Sequence, residues 1–395
     1  MTASFFEAAH ASSPATRCAE SDVVLETGGE GHIAFFHQND VFETLGGIER
    51  YVWTLCDSAD QRAVFVGPAI APGKTQSFAI EPAGPAGAPR WLRYTLGLLR
   101  QRRKLATFLQ ANGVRVLEFS RPEYLLAGAS LPGKRVVTIH GTGPGPGNRG
   151  HWFVHHAACF LLPFFADRVQ IVGRDPSGLP RLVRAMLGKR VVHVDAWHDD
   201  GFTPAPLPSL DVSTPLRVFY AGRMAPQKNP KLLFEIVRTA TATAPGAFEF
   251  HYFGGDYDAF ERAGVATLVE NHGFLKPQAL AEAIRSCHLG LMCSAFGEGS
   301  PYIVVEALGC GRPYVVPSLP TLLGAYRGFA GARFVETCRV EAYVAAMLAV
   351  RNDMLAGRID PRAIAAELEP RARARAVPEL LDALAGLAGP TKSSV

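Results

Sequence analysis

Two carboxylates flank a short polar turn in the second half of the chain. Glu298 precedes a predicted short helix, and Glu306 lies inside it. Ser300 can serve as the N-cap of that helix and Pro301 as its first residue. Tyr302 lies four residues before Glu306, so the two side chains share a helix face. A helix N-terminus beside a carboxylate suits a ligand that carries both phosphate and hydroxyl groups.

A second candidate group is a pair of cations in the loop Gly222–Asn229, which follows the predicted strand Leu216–Ala221. Open α/β sheets bind ligands at the carboxyl ends of their strands, so Arg223 and Lys228 are expected to face a crevice. Two positive charges there would stabilise a diphosphate leaving group as it departs. The pair alone is a weak signal because surface cations are common. In combination with the two carboxylates of the same half, it becomes strong.

Two features of the first half are compatible with the same ligand. Gly46 and Gly47 stand at the start of a predicted helix, where missing side chains let the backbone approach a ligand closely. An ordinary tight turn between strand and helix explains these glycines equally well. His140 ends the predicted strand Arg135–His140 and precedes a glycine-rich loop. Its place at a strand end favours a functional over a structural role.

The elements that would position these groups alternate between strand and helix in both halves of the chain. Such alternation predicts an α/β protein with two doubly wound parallel sheets. A Pro-rich stretch at about 196–215 separates the halves and predicts the domain boundary. The Pro/Gly/Ala-rich segment Pro68–Pro89 is predicted to be mostly surface loop.

Composition argues against several classes of protein and of site. A net charge of +4 is too small for a strong nucleic-acid binder. The seven cysteines are odd in number and never spaced CxxC, which favours free thiols in a reducing compartment over a zinc site. Histidines at 151, 155 and 156 lack an HExxH pattern or a further ligand, so no metal site is predicted. No signal peptide is recognised, and no run reaches the roughly 18–20 apolar residues of a membrane span.

Two segments of the first half raise the alternative of a membrane contact. Residues 89–113 predict an amphipathic helix whose core stripe is Leu92, Leu96 and Leu99. Its basic residues are Arg90, Arg93, Arg100, Arg102, Arg103 and Lys104. They indicate either a solvated face or a contact with an anionic membrane or a lipid-diphosphate acceptor. Residues 151–165 are unusually aromatic; burial in the core is the favoured interpretation, and an exposed acceptor or membrane patch is the alternative.

These motifs together resemble those of the retaining glycosyltransferases of the GT-B fold, specifically glycosyltransferase family 4. The matching motifs are Gly46-Gly47-Ile48-Glu49, Val136–Gly141 with its His140, Gly222-Arg223 with Lys228, and Glu298-x7-Glu306 with Ala307–Pro313. The segment DAWHDDGFTP is similar to the interdomain linker of the family, with His198 and Asp199 in place of the usual VD. Pro301-Tyr302 departs from the commoner Gly-hydrophobic pair, and SLPTLLGAY after Pro317 lacks the usual GG-x-x-E.

The resemblance implies a role for each matched residue. Glu306 would accept hydrogen bonds from the nucleotide ribose. Arg223 and Lys228 would hold the diphosphate with backbone N–H groups near Gly46 and Gly47. The donor-sugar pocket would be lined by Gly299, Ser300, Pro301 and Tyr302, with Glu298 on the sugar hydroxyls and His140 facing the sugar from the first domain. Positioning and charge stabilisation would drive a front-face reaction with retention, with no metal or other cofactor.

The resemblance also implies a domain plan, in which two Rossmann-like domains face each other across a cleft. Its parts are a loosely ordered extension 1–29, an acceptor-side domain 30–203, a nucleotide-sugar-binding domain 204–370, and a C-terminal helical segment 371–395 that packs back on the first domain.

The implied function is transfer of a hexose-type sugar from a nucleotide-diphosphate sugar to a glycan or lipid-linked acceptor. Surface polysaccharide or glycolipid synthesis in the cytoplasm, on the inner membrane face through helix 90–104, is the expected setting. A GT-B-fold nucleotide-sugar epimerase would need acid/base carboxylates facing the sugar, and the GG-x-E turn argues against it. A non-catalytic sugar-nucleotide-binding protein would be expected to lose Glu298, Arg223 and Lys228. Phosphorolysis with a pyridoxal cofactor stays open by motif, although the chain is short for it.

Overall fold

Two parallel β-sheets organise the protein, one in each half of the chain, as the alternation of elements predicts. The computed structural model describes residues 32–42, 46–71, 75–141, 149–336 and 339–389; the predicted extension 1–29 lies outside them. The first sheet contains β1 (His32–Phe36), β2 (Ala63–Gly67), β3 (Gln76–Ala79), β4 (Val114–Phe119), β5 (Lys134–His140), β6 (Arg168–Val172) and β7 (Val191–Val194). The second contains β8 (Leu216–Ala221), β9 (Phe248–Phe253), β10 (Val269–Asn271), β11 (Leu289–Leu291), β12 (Tyr314–Pro317) and β13 (Ala332–Val335).

The strand orders confirm two doubly wound parallel sheets. They are β3-β2-β1-β4-β5-β6-β7 in the first sheet and β10-β9-β8-β11-β12-β13 in the second. All strand pairs recorded within the described residues are parallel. Central strands such as β1 and β2 are buried along their whole length, because helices cover both faces of a parallel sheet.

Helices connect the strands in both domains. The first domain contains α1 (Gly47–Ser58), α2 (Arg90–Ala111), α3 (Leu125–Gly128), α4 (Arg149–Cys159), α5 (Leu162–Phe165) and α6 (Arg181–Leu187). The remainder are α7 (Pro230–Thr243), α8 (Asp258–Arg262), α9 (Pro277–Ser286), α10 (Tyr302–Gly309), α11 (Pro320–Tyr326), α12 (Val340–Leu355), α13 (Pro361–Ala366) and α14 (Arg373–Ala385). Within the described ranges, no helix combines the length and the apolar character needed to cross a membrane.

The two faces of the first sheet are covered by different helices. Helices α2 to α6 pack on one face in a single apolar core. Helices α1 and α14 cover the other face, where Val377 and Leu381 of α14 pack with Val52 and Leu55 of α1. The segment just before α14 contacts the interdomain linker at His198, whose N–H donates to Arg371 O at 3.0 Å. From there α14 continues onto the first domain. The C-terminal end of the chain therefore ties the two domains together.

Two expectations about the first domain were wrong. The buried stripe of α2 is Tyr94, Leu98, Leu105 and Leu109, whereas Leu99 is 39% exposed. The helix is turned this way because Gly97 packs on the backbone at Glu81, where a Cβ would lie 2.5 Å from the carbonyl oxygen. In addition, much of the aromatic segment 151–165 lies on the surface, including Phe153 and Phe164 at 69% and 70% exposed. The segment Pro68–Pro89 is mostly loop where the structure describes it, and it also contains the short edge strand β3, which pairs with β2.

A buried acid in β4 provides a prediction about stability and pH. Glu118 is fully buried, and burial raises its pKa from 4.5 to about 7. Between pH 4.5 and about pH 7, Glu118 stays protonated in the folded protein but loses its proton in the unfolded chain. The free energy of unfolding therefore falls as the pH rises toward 7. Glu118→Gln removes this dependence. Relative to wild type, the variant should gain about 2.5 kcal/mol of unfolding free energy between pH 5 and pH 8.

Chemical denaturation of both proteins at the two pH values measures this gain. Glu282→Gln, at an exposed position on α9, is the matched control and should follow the wild-type profile. If the unfolding free energies of wild type and Glu118→Gln change equally between pH 5 and pH 8, the prediction is contradicted.

Candidate active site

The carboxyl ends of the two sheets meet at a seam of glycines. Gly141 follows β5 and Gly173 follows β6, and both have positive φ angles, of 75° and 101°. A Cβ on Gly141 would lie 2.8 Å from the carbonyl oxygen of Gly297, and one on Gly173 would lie 2.7 Å from that of Gly299. The turn between β11 and α10 therefore lies directly on the ends of two strands of the first domain. His140 directly precedes Gly141, and Glu298 lies between Gly297 and Gly299, so both predicted residues are at this seam.

Glu298 is the acceptor of a compact polar cluster beside the seam. Its Oε1 accepts hydrogen bonds from Lys228 Nζ and from Ser294 Oγ, each at 2.6 Å. Glu298 is only 5% exposed. Lys228 approaches from the loop after β8, where Asn229 adopts a left-handed conformation (φ 52°) before Pro230 begins α7. Lys228, which is predicted to bind the diphosphate, and Glu298, which is predicted to bind the donor sugar, therefore form one ion pair.

Arg223 lies in the same loop but is differently placed. Its backbone is held on both sides, because Tyr252 Oη donates to Gly222 O at 2.9 Å and Met224 N donates to Asp256 Oδ2 at 2.9 Å. The side chain is exposed, and no hydrogen bond or ion pair joins it to any residue that the structure describes. The guanidinium is available to an anionic ligand.

Glu306 is engaged by an arginine from the first domain. Arg50 Nη1 donates to Glu306 Oε1, and its Nη2 donates to Asp199 Oδ2 at 2.7 Å. The guanidinium also lies 4.5 Å from the ring centroid of Tyr302. Burial lowers the pKa of Arg50, but the charges of Glu306 and Asp199 outweigh it and raise the pKa, so the guanidinium stays charged. Oε2 of Glu306 has no such contact within the described ranges.

Sequence reasoning did not select Arg50, Asp199 or Ser294 as site residues. Arg50 directly follows the GG-x-E turn, which was the one available signal. Its partner Glu306 lies 256 positions away. No spacing rule connects residues so far apart.

The Gly46-Gly47 turn is held in place by Glu49. Gly46 is the N-cap of α1, and a Cβ there would lie 2.1 Å from Glu49 Oε2. Glu49 contacts His37 Nε2 at 3.2 Å and accepts a hydrogen bond from Asn39 Nδ2 at 2.6 Å. Burial alone would raise the pKa of Glu49, but these contacts lower it to about 2. Glu49 is thus ionised and stabilises the turn. Gly47 faces Tyr302 of α10 across the domain interface.

His140 is the last residue of β5, and its ring lies edge-on to Tyr51 at 4.9 Å between centroids. Burial, followed by the nearby His37 and Arg121, lowers its pKa to about 3. The imidazole is therefore neutral at physiological pH. With one N–H and one unprotonated nitrogen it can donate or accept a hydrogen bond with a ligand, but it is not the imidazolium form that acts as a general acid.

The start of α10 differs by one residue from the sequence prediction. Pro301, rather than Ser300, is the N-cap, and Tyr302 is the first helical residue. Ser300 Oγ instead accepts a hydrogen bond from Ala196 N at 3.0 Å, in the segment that leaves the first domain. No side chain in the described residues caps α10. Its first N–H groups are thus left to other acceptors, as the phosphate prediction requires.

Histidine clusters lie away from this seam. His151 and His155 both contact Glu123 Oε1, each at 3.1 Å. Among the described residues, a group with the spacing of metal ligands occurs at the β10 edge of the second sheet, formed by His251, Glu270 and His272. His251 Nδ1 and His272 Nε2 lie 3.0 Å apart, within hydrogen-bond distance of each other.

Comparison with known proteins agrees with this geometry. Residues 215–353 match the family model described as "Glycosyl transferases group 1". The matched range contains Arg223, Lys228, Glu298 and Glu306. A comparison with curated proteins finds no match.

Solved structures share the architecture over nearly the whole chain. Sucrose-phosphate synthase from Thermosynechococcus elongatus is 13% identical, with a TM-score of 0.71 over 89% of this chain and 98% of that one. Anabaena HepE in complex with UDP-glucose is 16% identical, with a TM-score of 0.68 over 90% and 99%. The lipopolysaccharide outer core galactosyltransferase WaaB is 15% identical, with a TM-score of 0.61 over 89% and 99%. The fold is GT-B. The group 1 match lies in the second domain of this fold and supports a glycosyltransferase of the GT-B type.

Proposed function

We propose that the protein is a retaining, family 4 glycosyltransferase that moves a hexose-type sugar from a nucleotide-diphosphate sugar to a glycan or lipid-linked acceptor. The observation that carries the proposal is the polar cluster of Glu298, Lys228 and Ser294 at the domain seam, with the exposed Arg223 in the same loop as Lys228. The cluster combines acceptors for sugar hydroxyls with cations for a diphosphate. The HepE structures, which hold UDP and UDP-glucose, support a nucleotide-sugar donor.

In this proposal the charged groups act on the departing diphosphate. Arg223 and Lys228 offset the charge that develops on the leaving oxygen, and the uncapped N-terminus of α10 donates N–H groups to the phosphate. Glu298 orients the sugar hydroxyls, and Oε2 of Glu306 accepts from the ribose while Arg50 keeps Oε1. Neutral His140 faces the sugar from the first domain. The leaving phosphate itself takes the proton of the acceptor, so no separate base is required.

The contacts of Glu298 favour transfer over epimerisation. An epimerase needs carboxyl groups that exchange protons with the sugar. Glu298 Oε1 instead accepts from both Lys228 and Ser294, which suits a fixed hydrogen-bond acceptor.

We further propose that the reaction needs no metal or other cofactor. It would take place at the cytoplasmic face of a membrane, reached through the basic helix α2, in surface polysaccharide or glycolipid synthesis.

The experiment is a thermal-shift panel of nucleoside diphosphates and their sugars, because a ligand that binds the folded state raises the melting temperature. The best donor is then assayed for hydrolysis and for transfer to simple glycosides, with product anomers read by NMR. We expect one nucleotide to stand out, retention of configuration, and equal rates with excess EDTA or with Mg²⁺. Inversion would contradict the retaining mechanism, and inactivation by EDTA that Mg²⁺ or Mn²⁺ reverses would contradict the metal-free one.

A further inference from the structure

Exposed apolar side chains are concentrated on one surface of the first domain. Ten of the fifteen large exposed hydrophobic residues in the described ranges lie on α2 to α6 or between them. They are Leu99, Leu126, Trp152, Phe153, Val154, Phe160, Phe164, Phe165, Leu182 and Met186. We call the outward side of α2 to α6 the outer helical face. Scattered exposed hydrophobic residues are ordinary, but a cluster of this size marks an interaction surface.

The five helices form one continuous layer. Their inward sides share one core, which includes Leu98, Leu125, Leu162 and Val183. Neighbouring members are also joined directly. Trp91 of α2 stacks on His151 of α4 with ring centroids 5.5 Å apart. Arg190, just after α6, donates to Pro163 O of α5 at 3.0 Å. The outward side chains are therefore displayed on one surface and not on separate ones.

The charge of the outer helical face has a single sign. None of the helices α2 to α6 contains an aspartate or a glutamate. The exposed basic residues on these helices and the turn after α6 are Arg90, Arg100, Arg102, Arg103, Lys104, Arg181 and Lys189. Glu123, between α2 and α3, is 2% exposed and engaged by His151 and His155. The five helices of this face therefore carry aromatic groups and cations and no acidic side chain, while the exposed Glu81 lies beside α2 at Gly97.

We propose that the outer helical face binds an anionic lipid leaflet. Aromatic side chains that enter the headgroup region and cations that meet anionic lipids are the two components of interfacial binding. A protein partner would need an acidic surface with a deep apolar complement, whereas a leaflet supplies both over any area. Phe153 and Phe164 are 69% and 70% exposed, which suits insertion into the interfacial region of a leaflet.

This orientation also bears on the acceptor. Helix α4 follows β5 in the chain, and β5 ends at His140 beside the domain seam. A leaflet on the outer helical face would therefore hold a lipid-linked acceptor next to the first domain's side of the site. The membrane setting is part of the proposed function, and the placement of the acceptor rests on it, whereas lipid binding is measured without any sugar or nucleotide.

The test is co-sedimentation of the full chain with vesicles of phosphatidylcholine, with or without phosphatidylglycerol. We expect at least tenfold tighter binding to the anionic vesicles, weakened by added salt. The double variant Phe153→Ser/Phe164→Ser should lose at least tenfold in binding and keep its melting temperature. Phe274→Ser, at a phenylalanine of the second domain that is 60% exposed, is the control and should bind like wild type. Nucleotide affinity, measured separately, should be the same in all three proteins.

Equal binding to neutral and anionic vesicles, or full binding by the double variant, would overturn the proposal. So would a lipid-free dimer in light scattering that the double variant abolishes, because the face would then be an interface between two copies. If wild type binds vesicles but no nucleoside diphosphate or nucleotide sugar raises its melting temperature, the proposed donor specificity would be contradicted and the lipid-binding proposal would stand.

Discussion

Arg223→Ala should weaken the binding of a nucleoside diphosphate by about 100-fold, equivalent to about 2.7 kcal/mol. The guanidinium is exposed and has no partner in the described part of the chain, so its removal leaves no charge unpaired. The loop around it is held by Gly222 O and Met224 N, which the substitution does not alter. Fold and melting temperature should therefore be unchanged. Loss of a charge-assisted contact to phosphate is the expected cause of the weaker binding.

Isothermal titration with the nucleoside diphosphate selected by the thermal-shift panel measures the effect. The matching nucleoside, which lacks phosphate, should bind wild type and variant equally. Arg262→Ala, at an exposed arginine of α8 that is 70% exposed, is the control for loss of a surface cation in the same domain. Unchanged diphosphate affinity in Arg223→Ala would remove this residue from the site.

Glu298→Ala should lower turnover by about 10²–10³-fold, because a positioned group that acts on the reacting sugar is lost. The affinity for the nucleoside diphosphate should stay the same or increase, since the substitution releases Lys228 from its ion pair. The side chain of Lys228 is 24% exposed, so solvent can reach the released ammonium and the fold should survive. The kcat and the diphosphate affinity therefore change independently.

Ser294→Ala is the graded control for that result. It removes one hydrogen bond to Glu298 and retains both the carboxylate and its contact with Lys228. We expect a loss of turnover of about tenfold or less, in line with a single hydrogen bond. A parallel fall of kcat and diphosphate affinity in Glu298→Ala would indicate that Glu298 supports the loop and does not act on the sugar.

The alternation of strands and helices could be predicted because it depends on local periodicity. Parallel strands buried on both faces are short apolar runs, and β1 and β2 are of this type. The same locality limits accuracy at helix boundaries. Ser300 was predicted as the N-cap of α10 from its residue type, but its hydroxyl binds Ala196 N, which is 104 positions away. Tertiary structure decided the use of that hydroxyl.

The surface of the first domain shows the same limit. The aromatic composition of 151–165 favoured a core, since composition does not specify which side of a helix faces the sheet. Packing of α4 and α5 on the sheet buried Cys159 and Leu162 and left Phe153 and Phe164 outside.

The two sheets, the glycine turn at Gly46-Gly47 and the spacing of Glu298 and Glu306 could be read from local sequence, because each is a pattern along a short stretch of chain. The pairing of Lys228 with Glu298 and of Arg50 with Glu306 could not be predicted in this way. Those contacts depend on how two separately folded sheets meet at the glycine seam, and no local pattern carries that information.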